Sequence, residues 1–128
     1  MTTWPELVSY VRDKYSLSHD EDDRFALIFS FPDERSQQVF CRLFEAFDQE
    51  CVEIRTPVCE VGQMDPEQAL QMNAGFALGG LAIESGMVFM MYSLILRDLD
   101  LEQFDLQMQV IAACADDLEK DHTGADEY

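Results

Sequence analysis

The chain has 128 residues, 48% hydrophobic and 11% aromatic, enough to build a core of its own and too apolar for a disordered polymer. Eight basic residues against 26 acidic ones leave a formal net charge of −18, a field that repels phosphate backbones and anionic lipid and so argues against nucleic acid and membrane partners. Four cysteines without a Cys-x-x-Cys pair, and no cationic-then-apolar leader, point to the cytoplasm.

Thr3-Trp4-Pro5-Glu6 sets a capping Thr, a Pro in the first turn and a Glu three residues after the cap, the signature of a helix start. Trp4, Leu7, Val8, Val11 and Tyr15 then recur at helical spacing, and Ser16 to Asp23 reads as a polar linker. From Arg24 the period changes to two. Phe25, Leu27, Phe29 and Phe31 lie on one side of a strand whose other side, Ala26 and Ile28, is apolar as well. A turn at Pro32 to Arg35 leads into a second strand, in which Val39, Cys41 and Leu43 alternate with Phe40, Arg42 and Phe44.

After a loop around Phe47 to Glu50, a third strand runs from Cys51 to about Val61, with Val52, Ile54, Thr56 and Val58 on one face and Glu53 and Arg55 on the other. Pro57 cannot donate a ladder hydrogen bond, so it marks an edge or a bulge. Cys51 and Cys59 share this strand and are too far apart to bridge, while Cys41 and Cys51 flank the hairpin as potential neighbours.

Asp65-Pro66 opens a short second helix that Gly75 stops. Ala77–Ile83 and Met87–Leu96 form a hairpin about Glu84-Ser85-Gly86, and Gly79-Gly80 indicates a bulge or a close backbone approach. The stretch from Phe76 to Leu96 is long and apolar enough to span a bilayer, but its central turn and acidic flanks argue for two strands instead. A weaker cap, Asp100 with Gln103, begins a long helix to about Lys120, with Leu101, Phe104, Met108, Ile111, Ala115 and Leu118 forming one seam. An acidic tail follows from about residue 121. The expected fold is therefore a single α+β domain over residues 1–128, with an antiparallel-dominated five-stranded sheet, three helices and the order α-β-β-β-α-β-β-α.

Chemistry is sought without success. His19 and His122 both lie in acidic segments with no nucleophile near them in sequence. Asp98-Leu99-Asp100-Leu101-Glu102 imitates the start of a calcium loop, yet Gln103 and Gln109 stand where Gly and Glu are needed. Gly75, Gly79 and Gly80 do not compose a phosphate cradle. No catalytic residue, metal site or cofactor is expected. What stands out is apolar surface: the Arg24 strand and the Met87 strand are apolar on both faces, so a second copy covers one face or a partner does. Met64, Met72, Met87, Met90 and Met91 suit an adaptable interface.

The element order, with Arg35-Ser36-Gln37-Gln38-Val39 entering the second strand, Ala77-Leu78-Gly79-Gly80-Leu81-Ala82-Ile83 in the fourth and Ala115-Asp116-Asp117-Leu118-Glu119 in the last helix, resembles the type III secretion chaperone and YbjN-like superfamily over nearly the whole chain. The resemblance implies a homodimer, with Met72, Phe76 and Leu78 at the dimer interface. It also implies a surface holding an extended segment of a client protein, with Trp4, Leu7, Phe29, Phe40 and Phe44 in contact. The YbjN-like branch implies instead a regulatory or sensory domain binding a small ligand or regulator.

Overall fold

The computed structural model describes residues 1–128. Helix α1 (Trp4–Lys14) begins where the sequence places it: the Thr3 hydroxyl accepts from the Glu6 amide at 3.3 Å, and Trp4, Leu7, Val8 and Val11 bury one face. Six strands follow in one antiparallel sheet: β1 (Leu17–Glu21), β2 (Arg24–Ser30), β3 (Ser36–Ala46), β4 (Gln49–Glu60), β5 (Gly80–Glu84) and β6 (Met87–Ile95), in the spatial order β1-β2-β3-β4-β6-β5. Helix α2 (Pro66–Asn73) lies between β4 and β5 in sequence, and α3 (Leu101–Thr123) closes the fold.

The expected five strands are thus corrected to six. The polar Ser16–Asp23 stretch contains an edge strand that pairs with β2 from Leu17 to Glu21. Only Leu17 of this strand packs against the core, and Asp20 is held by Arg12 of α1 at 2.7 Å, so its backbone bonds rather than an apolar alternation define it. The loop expected near Phe47 to Glu50 is also tighter than read. β3 and β4 join through Phe47 and Asp48, both at positive φ (54° and 57°), and β5 and β6 join likewise through Ser85 and Gly86 (52° and 80°), the backbone that suits a two-residue hairpin.

One face of the sheet is covered. Val39, Cys41, Val52, Ile54, Val88 and Met90 point to it, and α3 lays Phe104, Met108, Ile111 and Ala115 across them, all without solvent contact. The predicted seam is the buried stripe. Gly79 shows why a glycine stands there: at φ +74°, a Cβ would lie 2.7 Å from the Met91 carbonyl oxygen and 2.8 Å from Ile111 Cδ1. Asp100 caps α3 by accepting from the Gln103 amide at 2.9 Å, and Gly124 ends the helix at φ +71°. No helix is long and apolar enough to cross a membrane, and the Phe76–Leu96 stretch is a loop and a hairpin.

Candidate functional site: the open face of the sheet

The helices cover one face of the sheet and leave the other without a covering element. Strand alternation sends Ala26, Phe40, Arg42, Phe44, Glu53, Arg55, Phe89 and Met91 to that outer face, because the register pairs Ala26 with Phe40, Phe40 with Arg55, Arg42 with Glu53, Phe44 with Cys51, and Arg55 with Met91. An open concavity of about 610 Å³ lies here, lined by residues of β1, β2, β3, β4, β5 and β6, among them His19, Arg24, Phe40, Arg42, Glu53, Arg55 and Phe89.

A ladder of charges crosses its floor. Glu53, 5% exposed, accepts from Arg42 Nη2 at 3.0 Å and from Arg55 Nε at 2.9 Å, and Arg55 Nη1 reaches Glu84 at 3.0 Å. The guanidinium carbons of Arg42 and Arg55 stand 4.8 Å and 4.9 Å from the ring centroids of Phe44 and Phe89, so each cation is fixed by an aromatic face as well as by a carboxylate. The hydrogen bond from Arg55 holds the Glu84 carboxyl below its usual range. Three of the eight cations of the chain, Arg24, Arg42 and Arg55, line this concavity beside an equal number of carboxylates, Glu21, Glu53 and Glu84. In a chain of net charge −18 this is a locally neutral, partly aromatic surface, suited to a segment that carries apolar side chains between charges of either sign.

Of the five residues named for client contact, Phe40 and Phe44 lie on this face with part of their surface in solvent. Trp4, Leu7 and Phe29 are buried in the core. Trp4 stacks on Phe25 and donates its indole N–H to the Asp22 carbonyl at 2.8 Å, while Phe29 meets Tyr15 edge to face. Their surface is already taken within the chain. Met72, Phe76 and Leu78 are half-buried and pack against the core in and after α2, ahead of the edge strand β5, with Leu70 and Ile83 exposed. Sequence reasoning missed Phe89, which the two-sided apolar pattern of its strand contained, and Phe47, 97% exposed at the β3–β4 hairpin tip.

His19 lines the concavity beside Glu21, and the one thiol near it, Cys41, is buried and pushed up, chiefly by desolvation, out of the range in which a thiolate forms. All four cysteines are free, and Cys41 and Cys51 are not opposite one another, since Cys41 pairs with Ile54 and Cys51 with Phe44. One group of carboxylates has ligand-like spacing: oxygens of Asp116, Glu119 and Asp126 lie within 4.8 Å of one another. Arg35 fills the role of their cation, with Nε 3.0 Å from Asp116 and Nη2 3.6 Å from Glu119.

No protein-family model matches the chain, and no curated protein matches it in sequence. Solved structures do. A chain of the HopA1–SchA chaperone–effector complex superposes with a TM-score of 0.62 at 12% identity, over 89% of this chain and 90% of that one. A chain of the ExsC–ExsE complex superposes with a TM-score of 0.59 at 16% identity, over 89% of this chain and 88% of that one. The protein therefore has a fold like that of the type III secretion chaperones, as the sequence resemblance implied.

Proposed function

We propose that this protein is a non-catalytic, cytoplasmic binding module that holds an extended segment of a client protein against the open face of its sheet, in the manner of a type III secretion chaperone. The observation that carries this reading is the uncovered face itself: an aromatic and charge-balanced concavity of about 610 Å³, on a fold whose structural likenesses include chains of chaperone–effector complexes. Phe40, Phe44 and Phe89 supply the apolar contacts, and the Arg42–Glu53–Arg55 ladder fixes the orientation of the segment.

The second part of the proposal is a homodimer through Met72, Phe76 and Leu78, where exposed Leu70 and Ile83 and the unpaired edge of β5 leave apolar surface and backbone donors for a second copy. Light scattering should give twice the 14.7 kDa mass of the chain. A monomer at micromolar concentration removes the dimer without touching the client site. For the client site, Phe40→Thr should weaken retention of the host protein that co-purifies with the unsubstituted chain, while keeping a strand-forming residue at this 37% exposed position of a central strand. Undiminished retention would count against the open face.

A further inference from the structure

β3 and β4 fork. Their ladder ends at the Phe40–Arg55 pair, although β3 continues back to Ser36 and β4 on to Glu60. Pro57 explains the fork: by strand alternation it is the next residue after Arg55 to face β3, and it has no N–H to give to the Gln38 carbonyl. The Thr56 hydroxyl donates to that carbonyl instead, at 2.6 Å, and the buried Gln37 amide spans the gap to Thr56 Oγ1 and the Pro57 carbonyl at 2.7 Å and 2.6 Å. The Ser36 and Gln38 amides are left without a strand partner.

Residues 125–128 occupy this slot. The Gln38 N–H donates to the Tyr128 backbone oxygen at 3.2 Å and the Ser36 N–H to the Asp126 carboxylate at 3.3 Å, so the segment runs parallel to β3. Arg35 Nη2 donates to the Ala125 carbonyl at 2.7 Å, and the Glu127 N–H donates to Glu119 Oε2 at 2.7 Å. Most of these contacts are to main chain and any sequence can make them. The side chains suit the site less well. Asp126 places a third carboxylate beside the buried Asp116 and Glu119, with Arg35 the one cation among them. Desolvation pushes both buried carboxyls up, and the Asp126 charge pushes them further.

From this geometry we infer that the β3–β4 fork is a strand-docking slot for an extended partner segment, basic at the position of Asp126 and aromatic at that of Tyr128, and that residues 125–128 hold it closed until such a segment displaces them. Backbone hydrogen bonds supply affinity in strand addition and the side-chain positions supply preference. Here the preference is for the charge opposite to the occupant's own. Tyr128, whose hydroxyl lies 3.9 Å from the Met87 sulfur, marks the aromatic position. The purpose assigned to the slot rests on the protein-binding reading, but none of its residues lines the concavity of the open face, so the two fail separately.

The test uses the full chain and the variant Glu127→Pro, which removes the N–H donated to Glu119 and so loosens the segment while leaving the Ser36 and Gln38 amides of the slot in place. The probe is the capped peptide Gly-Ala-Lys-Lys-Tyr, titrated against isotope-labelled protein. In the variant, the Gln38 amide should lose its exchange protection, and the peptide should shift the Ser36 and Gln38 amide signals with at least tenfold higher affinity than in the parent chain. The same peptide with Asp-Glu in place of Lys-Lys should bind the variant more weakly. Retained protection of Gln38 in the variant, absence of peptide-induced shifts at Ser36 and Gln38, equal affinity for parent and variant, or equal affinity for the two peptides would each overturn the proposal.

Discussion

Asp105 shows how a single polar residue joins two elements that the apolar pattern alone leaves loosely related. It is 2% exposed on α3, and both Lys14 and the Tyr15 hydroxyl of the α1 end donate to it. Burial by itself would push its carboxyl up, but the hydrogen bonds from Lys14 and Tyr15 outweigh burial and hold it below the usual range. A depressed carboxyl stabilises the fold above its ordinary value of about pH 4 and loses that contribution as the pH falls through the depressed one. Asp105→Asn should therefore cost about 1–3 kcal/mol at pH 7, with the deficit relative to the parent shrinking in acid, as read from denaturant unfolding across pH. Tyr15 behaves in the opposite sense: desolvation first, then the Asp105 hydrogen bond, pushes its phenol up to about 12. Its contribution is full below the ordinary value of about 10 and is lost as the pH rises from there to about 12. None of this was legible in sequence, because Asp105 is one of 26 acids and its importance comes from a contact spanning most of the chain.

At the scale of elements, the sequence disclosed those defined by periodicity and caps: α1, α3, the alternating rows of β2 and β4 without their direction, and the Glu84-Ser85-Gly86 turn. It did not disclose β1, whose five residues carry one inward apolar side chain and whose strand character comes from pairing with β2. The candidate contacts were legible in part for a related reason. Alternation places Phe40 and Phe44 on the face away from the core, but it cannot show that α1 turns Trp4 and Leu7 inward or that β2 turns Phe29 inward, since surplus apolar side chains carry no label for core or partner. The charge ladder depends on cross-strand register, which places Arg42 opposite Glu53. The β3–β4 hairpin offers a direct test of what the tip is for. Phe47 sits at φ +54° with almost its whole side chain in solvent, a conformation that costs a bulky residue about 1–2 kcal/mol and that Asn tolerates. Phe47→Asn should raise the stability of the free protein by about 1 kcal/mol in denaturant unfolding. A loss of stability would mean that the ring makes a contact within the chain and is not held out for a partner.

Across the whole molecule, an acidic chain of net charge −18 keeps one sheet face locally neutral, floors it with aromatic rings and places its helices on the opposite side. That asymmetry separates the proposed client surface from the folding core. The central claim is that a client lies on the open face and not on the helical one. Site-specific photo-crosslinking in the host tests it most directly, with a photoreactive phenylalanine placed in turn at Phe40, on the open face, and at Leu106, exposed on α3. The account predicts one cross-linked protein from position 40, mapped to an extended segment of that protein, and none from position 106. Cross-linking of the same protein from position 106, with none from position 40, would contradict it.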